Sequence, residues 1–190
     1  AEARLLADAG VDAVVATGFE AGGHRVSFLE QPENCLTGTL ALVPQVADTV
    51  KVPVIAAGGI VDARGIAAAR KLGAAGAQIG TAFLACEESG AHELHRAMLF
   101  SADARRTTLT RVFSGRLARS VHNDFIDAMR DHEAKFARYP VQNWLTARLR
   151  KAALAAGRAD LVSLWSGQGA PLLKHRRARE LFASLIAQEH

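Results

Sequence analysis

Short apolar runs alternate with amphipathic stretches along the first half of the chain. Runs rich in Val, Ala and Ile predict strands that are buried on both faces at residues 11–18, 52–59 and 74–84. Apolar positions at helical spacing predict a helix before each strand, at residues 1–9, 36–50 and 63–72. Gly10 and Gly73 each end a predicted helix, and Asp62 is placed to cap one. This alternation predicts parallel βαβ units with right-handed crossovers.

The pattern changes after residue 90, where long stretches with helical periodicity replace the short apolar runs. These stretches lie at residues 89–101, 123–140, 142–157 and 175–189. Two irregular segments, residues 110–122 and 161–171, separate them. No strand is predicted after Leu84. We therefore expect βα units over residues 1–90, and a mainly helical region over residues 91–190 that packs on them.

Composition places the chain among core-forming globular proteins. Its 190 residues are 49% hydrophobic, with a mean hydropathy of +0.07. The net charge of +4 comes from basic residues interleaved with acidic ones, so no nucleic-acid surface is predicted. Cys35 and Cys86 are too isolated for a disulfide framework or a zinc site, and no apolar run approaches the ~20 residues of a membrane span. These features predict a cytoplasmic protein without a membrane segment.

Glycines stand at the carboxyl ends of the second and third predicted strands. Gly58 and Gly59 follow one strand, and Gly80 with Thr81 follows the next. Neighbouring parallel strands end at the same edge of a sheet, where glycine lets the backbone approach a phosphate closely. Each pair is equally compatible with a tight turn. The pattern thus predicts either a phosphate site or two turns.

The first predicted strand ends in "GFEAGGHR", where His24 joins the glycines. An imidazole titrates near neutrality and is suited to removing a proton from carbon, although a polar loop residue would fit the same position. His92 and His95 form an HxxH pair without a third nearby ligand, so no metal site is predicted. The chain lacks GxSxG, P-loop, HExxH and GxGxxG motifs, which disfavours a hydrolase, an NTPase or a dinucleotide-binding domain.

Several blocks together resemble the nitronate monooxygenases, formerly called 2-nitropropane dioxygenases. They are "GFEAGGHRVSF", "VPVIAAGGIVDARGIAAARKLGAAGAQIGTAFLACEES", "TRVFSGRLAR" and "LWSGQGA", in this order. The resemblance implies an FMN-dependent TIM barrel, of which this chain would be the C-terminal portion from the helix before strand six onward. It implies a catalytic role for His24. The implied flavin contacts are Ala21, Gly22, Gly23, Gly58, Gly59, Gly80, Thr81, Ser166, Gly167 and Gln168.

The activity implied by this resemblance is oxidation of alkyl nitronates or nitroalkanes by O2 to carbonyl compounds and nitrite. His24 would remove the α-proton of a neutral nitroalkane, and neither NAD(P)H nor a metal would be needed. The remaining barrel strands would come from a missing N-terminal half or from a second copy of the chain.

Two other functions remain open at this point. The FMN- and NAD(P)H-dependent enoyl-acyl-carrier-protein reductases have a similar "EAGGH" and "AAGGI" pattern but lack "FSGRLAR" and "WSGQG". A non-catalytic fragment that binds a phosphate ligand or a protein partner would also fit a chain of this length.

Overall fold

Two three-stranded sheets organise the chain in a computed structural model that describes residues 1–187. The strands are β1 (Val14–Thr17), β2 (Gly23–His24), β3 (Val54–Ala57), β4 (Gly76–Gln78), β5 (Thr107–Thr110) and β6 (Ala118–Val121). The α-helices are α1 (Glu2–Asp8), α2 (Thr39–Ala47), α3 (Ala63–Lys71), α4 (Thr81–Leu84), α5 (Glu93–Leu99), α6 (Asp124–Met129), α7 (Val141–Ala155) and α8 (Ala178–Ile186). Residues 188–190, which belong to the predicted C-terminal region, lie outside the described part.

The first sheet contains the three strands predicted from the apolar runs, but the third is shorter than predicted, because β4 ends at Gln78 and residues 81–84 form helix α4. Its order is β1-β3-β4 and all neighbours are parallel, so the prediction of βαβ units is confirmed. Helices α2 and α3 pack on this sheet through a buried cluster that includes Val43, Val54 and Ala69. Because the strands are parallel, their carboxyl ends lie at one edge, where the loops that follow them meet.

Helix α3 begins and ends as its sequence predicts. The Asp62 carboxylate accepts a hydrogen bond from the Gly65 amide at 3.2 Å, which satisfies one of the free N–H groups of the first turn. At the other end Gly73 adopts φ +97°, a conformation that glycine reaches without steric cost. Both ends of the helix are thus fixed by local sequence.

The second sheet was not predicted. Strands β2, β6 and β5 pair antiparallel in that order, so the expectation that no strand follows Leu84 was wrong. Strand β6 is buried along its whole length although it contains Arg119 and Ser120, which are 2% and 0% exposed. Buried polar residues hide the period-two pattern by which a strand is normally recognised. Its pairing partner β2, moreover, lies about a hundred residues earlier in the chain.

The helices predicted beyond residue 90 form as α5 to α8, but the one predicted over residues 123–140 is α-helical only over Asp124–Met129 and continues as a 3₁₀ helix over Arg130–Lys135. Helix α8 packs against the βα units, with Leu181 and Leu185 buried against Val61, Ala82 and Cys86. The division of the chain at residue 90 stays a prediction. Within residues 1–187, no helix is both long enough and apolar enough to cross a membrane.

Candidate functional site

Four backbone segments meet at the carboxyl edge of the parallel sheet. They are the loops after β1, β3 and β4 and the segment Ser166–Gly169, which the sequence places far from all three. The Gln168 amide donates to the Glu20 carbonyl at 2.9 Å, and the Gly167 amide donates to Thr81 Oγ1 at 2.9 Å. The structure therefore brings together the residues that the resemblance assigns to flavin contact.

The loop after β1 lies directly on the Ser166–Gly167 backbone. A Cβ atom added at Gly22 would lie 2.6 Å from the Gly167 nitrogen, a distance that real Cβ atoms do not reach. A Cβ atom at Gly167 would lie 3.0 Å from the Glu20 carbonyl oxygen. Close backbone approach thus requires glycine on both sides of this contact. The Ser166 side chain is fully buried within the contact, whereas Gln168 is exposed.

Glu20 and Thr39 connect the first two loops, and the sequence analysis missed both. The Glu20 carboxylate accepts from the Thr39 amide at 2.9 Å and from the Thr39 hydroxyl at 2.8 Å. Thr39 Oγ1 also lies 3.0 Å from the Gly58 carbonyl oxygen. Glu20 is adjacent to the glycines of "FEAGG", which is a local signal, but its partner Thr39 is recognisable only from the fold.

Free backbone donors line the rim formed by the loops after β3 and β4. Among residues 1–187, the N–H groups of Gly59, Gly80 and Thr81 have no hydrogen-bond acceptor. A Cβ atom built at Gly80 meets no atom within 4 Å, so the backbone there faces open space. Gly58 and Gly59 adopt φ +112° and +73°, which turns the chain sharply after β3. Free N–H donors on two neighbouring loops at one edge of the sheet fit an anionic group such as a phosphate.

His24 lies at the end of β2, two residues after Gly22. Its Nε2 atom is 2.8 Å from Ser114 Oγ. The imidazole ring contacts Tyr139 at 5.5 Å and Trp165 at 5.4 Å between ring centroids. Burial, and secondly the positive charge of Arg116, lower the pKa of His24 below its ordinary value. The lowered pKa favours the neutral form of the half-buried ring, which is the state that accepts a proton.

The turn that carries Ser114 is anchored from helix α7. Gln142 Nε2 donates to the Val112 carbonyl at 2.9 Å, and the Thr146 hydroxyl donates to the Phe113 carbonyl at 2.6 Å. Sequence reasoning singled out the block "FSGRLAR" but assigned Ser114 no role, and it did not identify Tyr139 or Trp165 as neighbours of His24. No sequence signal links these positions, because the contacts span large separations along the chain.

Two buried arginines hold the loop after β1 in place. Arg25 donates to the Gly18 carbonyl at 2.9 Å, and Arg119 donates to the Phe19 carbonyl at 2.9 Å. The Arg119 guanidinium also stacks over the Phe19 ring, 4.3 Å from its centroid. The strand β6 that carries Arg119 pairs with β2, so the same strand supports both the loop and His24.

The HxxH pair of helix α5 has structural contacts. His92 Nδ1 accepts from the Leu94 amide at 3.3 Å and caps the helix, and His95 Nε2 lies 2.9 Å from the Trp165 carbonyl oxygen. Over residues 1–187, no three His, Cys, Asp or Glu side chains are grouped in a way that would hold a metal ion.

Comparison with known proteins gives a consistent relationship. The family model for nitronate monooxygenase matches residues 1–188. A probable nitronate monooxygenase of Staphylococcus aureus strain Newman is 48% identical over 182 residues, which are 95% of this chain and 51% of that protein. The chain therefore spans about half the length of the curated relatives it matches.

Solved structures agree with this assignment. Nitroalkane oxidase from Streptomyces ansochromogenes is similar with a TM-score of 0.93 and 43% identity, covering 98% of this chain and 54% of that one. FabK from Thermotoga maritima is similar with a TM-score of 0.78 and 32% identity, covering 97% of this chain and 56% of that one. The mixed α/β fold is shared with both. On the match of its whole described length, the chain belongs to the nitronate monooxygenase family.

Proposed function

We propose that the full-length protein containing this chain oxidises alkyl nitronates and neutral nitroalkanes with O2, using FMN, to carbonyl compounds and nitrite. The observation that carries the proposal is that the loop leading to His24 contacts the Ser166–Gly167 backbone, which in turn binds Thr81 on the rim that has free backbone N–H groups. A base and an anion-binding rim at the carboxyl ends of parallel strands are the parts that such a reaction requires. Membership of the family supports the choice of substrate.

The parallel strands are proposed to be strands six, seven and eight of a TIM barrel. The chain covers 51% and 54% of two relatives, which leaves room for the remaining strands. Strand β1 is at the open edge of its sheet, and Val15 on it is 43% exposed. Leu5 and Leu6 of helix α1 are also exposed. An N-terminal part of the full-length protein, or a second copy, would cover this apolar edge.

FMN would be held by backbone groups of this chain. The N–H groups of Gly59, Gly80 and Thr81 would bind its phosphate. The segments Ala21–Gly23 and Ser166–Gln168 would contact the rest of the cofactor. His24 directly follows the first of these segments. When bound, the flavin supplies one-electron chemistry that connects oxidation of a nitronate to O2.

His24 would act on substrates that arrive as neutral nitroalkanes. The nitro group acidifies the neighbouring carbon, and a neutral imidazole accepts the α-proton from it. The rings of Tyr139 and Trp165 contact the imidazole on two sides and would hold its orientation for this step. A preformed nitronate has already lost that proton, so it needs no base.

The test is nitrite release by the FMN-loaded full-length protein under air, without pyridine nucleotide. We expect nitrite from both a nitroalkane and its nitronate. A His24→Ala variant should lose activity on the nitroalkane and largely keep it on the nitronate, whereas a His92→Ala variant, altered at a surface helix cap, should keep both. Equal loss on both substrates would argue that His24 positions substrate instead.

The same preparation separates the two alternatives. No nitrite, together with NAD(P)H consumption in the presence of an enoyl thioester, would favour the reductase. Protein that binds no flavin and has no yellow absorbance would favour a non-catalytic binding fragment.

A further inference from the structure

We propose that Ser114 is a positioning residue that fixes the tautomer of His24, so that Nε2 carries the hydrogen and Nδ1 is the atom that accepts the substrate proton. This inference rests on the proposed role of His24 as the base. It adds to that role a second residue, from a distant part of the chain, and assigns the reacting nitrogen.

The hydrogen-bond geometry around Ser114 carries the assignment. Its hydroxyl has one hydrogen to donate and two neighbours in reach, Arg116 O at 3.1 Å and His24 Nε2 at 2.8 Å. A carbonyl oxygen only accepts, whereas an imidazole nitrogen donates or accepts according to its tautomer. If Ser114 donates to the carbonyl, its oxygen is free to accept from Nε2–H, and both contacts are satisfied.

The opposite arrangement leaves a group unpaired. Within residues 1–187, the Arg116 carbonyl receives no hydrogen bond other than the one from Ser114. A serine that donated to His24 would leave that carbonyl without a hydrogen-bond donor from the described residues. The Arg116 amide also points its hydrogen at Ser114 Oγ, at 3.4 Å, which reinforces Oγ as an acceptor with its own hydrogen directed elsewhere.

The surroundings keep this arrangement rigid. The turn is tied to helix α7 by Gln142 and Thr146, which donate to the carbonyls of the two residues before Ser114 at 2.9 Å and 2.6 Å. Gly115 lies so close to the Ala137 carbonyl that an added Cβ atom would be 2.2 Å from it. The imidazole itself is flanked by two aromatic rings. The backbone that carries Ser114 is therefore held in place, and rotation of Oγ away from His24 would also break its hydrogen bond to the Arg116 carbonyl.

The remaining ring nitrogen is available for chemistry. Among the described residues, His24 Nδ1 has no hydrogen-bond partner, and the ring is only half-buried. A nitrogen with a free lone pair on a ring that is not fully buried is what a general base requires. The hydrogen bond at Nε2 also stabilises the positive charge that the ring gains when Nδ1 takes up a proton.

The direct test is the tautomer itself, read by ¹⁵N-¹H correlation of the flavin-loaded full-length protein labelled with ¹⁵N-histidine. The His24 signals are assigned by their loss in a His24→Gln variant. We expect a protonated, pyrrole-type Nε2 and an unprotonated, pyridine-type Nδ1. The reverse pattern in the wild-type protein would overturn the inference. This measurement does not depend on a substitution at Ser114.

A Ser114→Ala variant extends the test to function. We expect the single-tautomer pattern of His24 to be lost, kcat/KM for a neutral nitroalkane to fall about tenfold or more, and kcat/KM for the nitronate to stay within about twofold. Ser120→Ala is the matched control, because Ser120 is a fully buried serine of strand β6 whose Oγ accepts from the Leu164 amide at 3.1 Å. It should leave the His24 signals unchanged. A Ser114→Ala protein with the wild-type tautomer would refute the proposal.

These outcomes also separate the inference from the proposed function. Wild-type protein that shows the Nε2–H pattern but releases no nitrite would overturn the function and support the tautomer assignment. If wild-type protein releases nitrite from a nitroalkane while His24 has its hydrogen on Nδ1 and none on Nε2, the tautomer assignment is overturned and the proposed function stands.

Discussion

Gly22 lies against the backbone of Gly167 so closely that a Cβ atom on Gly22 would be 2.6 Å from the Gly167 nitrogen. This contact joins the loop after β1 to a segment more than a hundred residues later. The Gly167 amide of the same segment donates to Thr81 Oγ1 after β4. This segment therefore connects the loop after β1 with the loop after β4. The shape of the proposed flavin site therefore depends on a contact that only glycine allows.

A Gly22→Ala substitution should open this contact. The added methyl group would push the loop off Ser166 and Gly167, because backbone atoms on both sides leave it no room. We expect the full-length protein to bind FMN at least about tenfold more weakly, since a displacement of about 1 Å disrupts several hydrogen bonds together. A fluorescence titration of the flavin-free protein measures this.

The control is Gly90→Ala, at an exposed glycine where an added Cβ atom meets nothing within 4 Å. It should bind FMN as the wild-type protein does. Equal flavin affinity in the Gly22→Ala and wild-type proteins would mean that this contact does not shape the cofactor site.

The parallel half of the fold could be predicted because its signals are local. Each βα unit shows a short apolar run, a helical period and a glycine or Asp62 at the boundary, all within a few residues of each other. The glycines at the strand ends could be located for the same reason. Their convergence follows from parallel pairing, which places all carboxyl ends on one edge.

The antiparallel sheet and the surroundings of His24 could not be predicted in this way. Strand β6 buries Arg119 because the guanidinium binds the Phe19 carbonyl and ring, a partner that exists only in the fold. His24 and Ser114 are 90 residues apart, and neither position has a periodicity that indicates the other. Buried polar residues whose partners are distant leave no local pattern to read.

A Thr39→Val substitution tests the link between the loop after β1 and the loop after β3. Valine matches threonine in shape but lacks the hydroxyl that reaches Glu20 Oε2 and the Gly58 carbonyl. We expect the free energy of unfolding to fall by about 1–2 kcal/mol, because the one hydroxyl hydrogen available to two half-buried acceptors is lost. Urea unfolding of the full-length protein, with and without FMN, gives this value.

Thr49→Val provides the comparison, since the Thr49 hydroxyl bonds only to the Gln45 carbonyl on an exposed helix end. Its unfolding midpoint should stay close to that of the wild-type protein. If the two variants were equally stable, the Thr39 hydroxyl would have no special part in holding the rim.

The pH dependence of nitroalkane oxidation should report the lowered pKa of His24. Burial, and secondly the charge of Arg116, lower this pKa, so the ring stays neutral to a more acidic pH than an ordinary histidine. The neutral ring is the active base. On the acid side, kcat/KM for a neutral nitroalkane should therefore decline at a lower pH than an ordinary imidazole would give, whereas kcat/KM for the nitronate should show no decline assigned to His24.

Replacing Arg116 tests the sign of the charge effect. Arg116→Gln removes the positive charge, so the pKa of His24 should rise. The acid limb, which is the decline of kcat/KM for a nitroalkane on the acid side of the pH profile, should move to higher pH. Arg116→Lys keeps the charge and should keep the limb near its wild-type position. Both variants weaken the hydrogen bonds from Arg116 to the Arg25 and Ser27 carbonyls, so limb positions are compared after normalising each profile to its own plateau. A limb that moves to lower pH in Arg116→Gln would contradict the assignment.

The turn beneath His24 should tolerate no side chain at Gly115. This residue adopts φ +81°, and an added Cβ atom would also lie 2.2 Å from the Ala137 carbonyl oxygen. Gly157 adopts a similar φ of +69° but has nothing within 4 Å of its Cβ position. The pair therefore separates backbone strain from steric overlap. Gly157→Ala should cost about 1–2 kcal/mol of unfolding free energy through strain alone.

Gly115→Ala should cost clearly more than that, about 3 kcal/mol or more, because the turn and the segment containing Ala137 must move apart. That movement would also take Ser114 away from His24. In the Gly115→Ala protein that remains folded, activity on the nitroalkane should therefore fall more than activity on the nitronate. Gly157→Ala should keep the wild-type ratio of these two activities. Urea unfolding measures the first effect, and the ratio of the two rates measures the second. Equal unfolding free energies for the two variants would show that the turn is free to shift, and a rigid Ser114 could then not be what orients the imidazole.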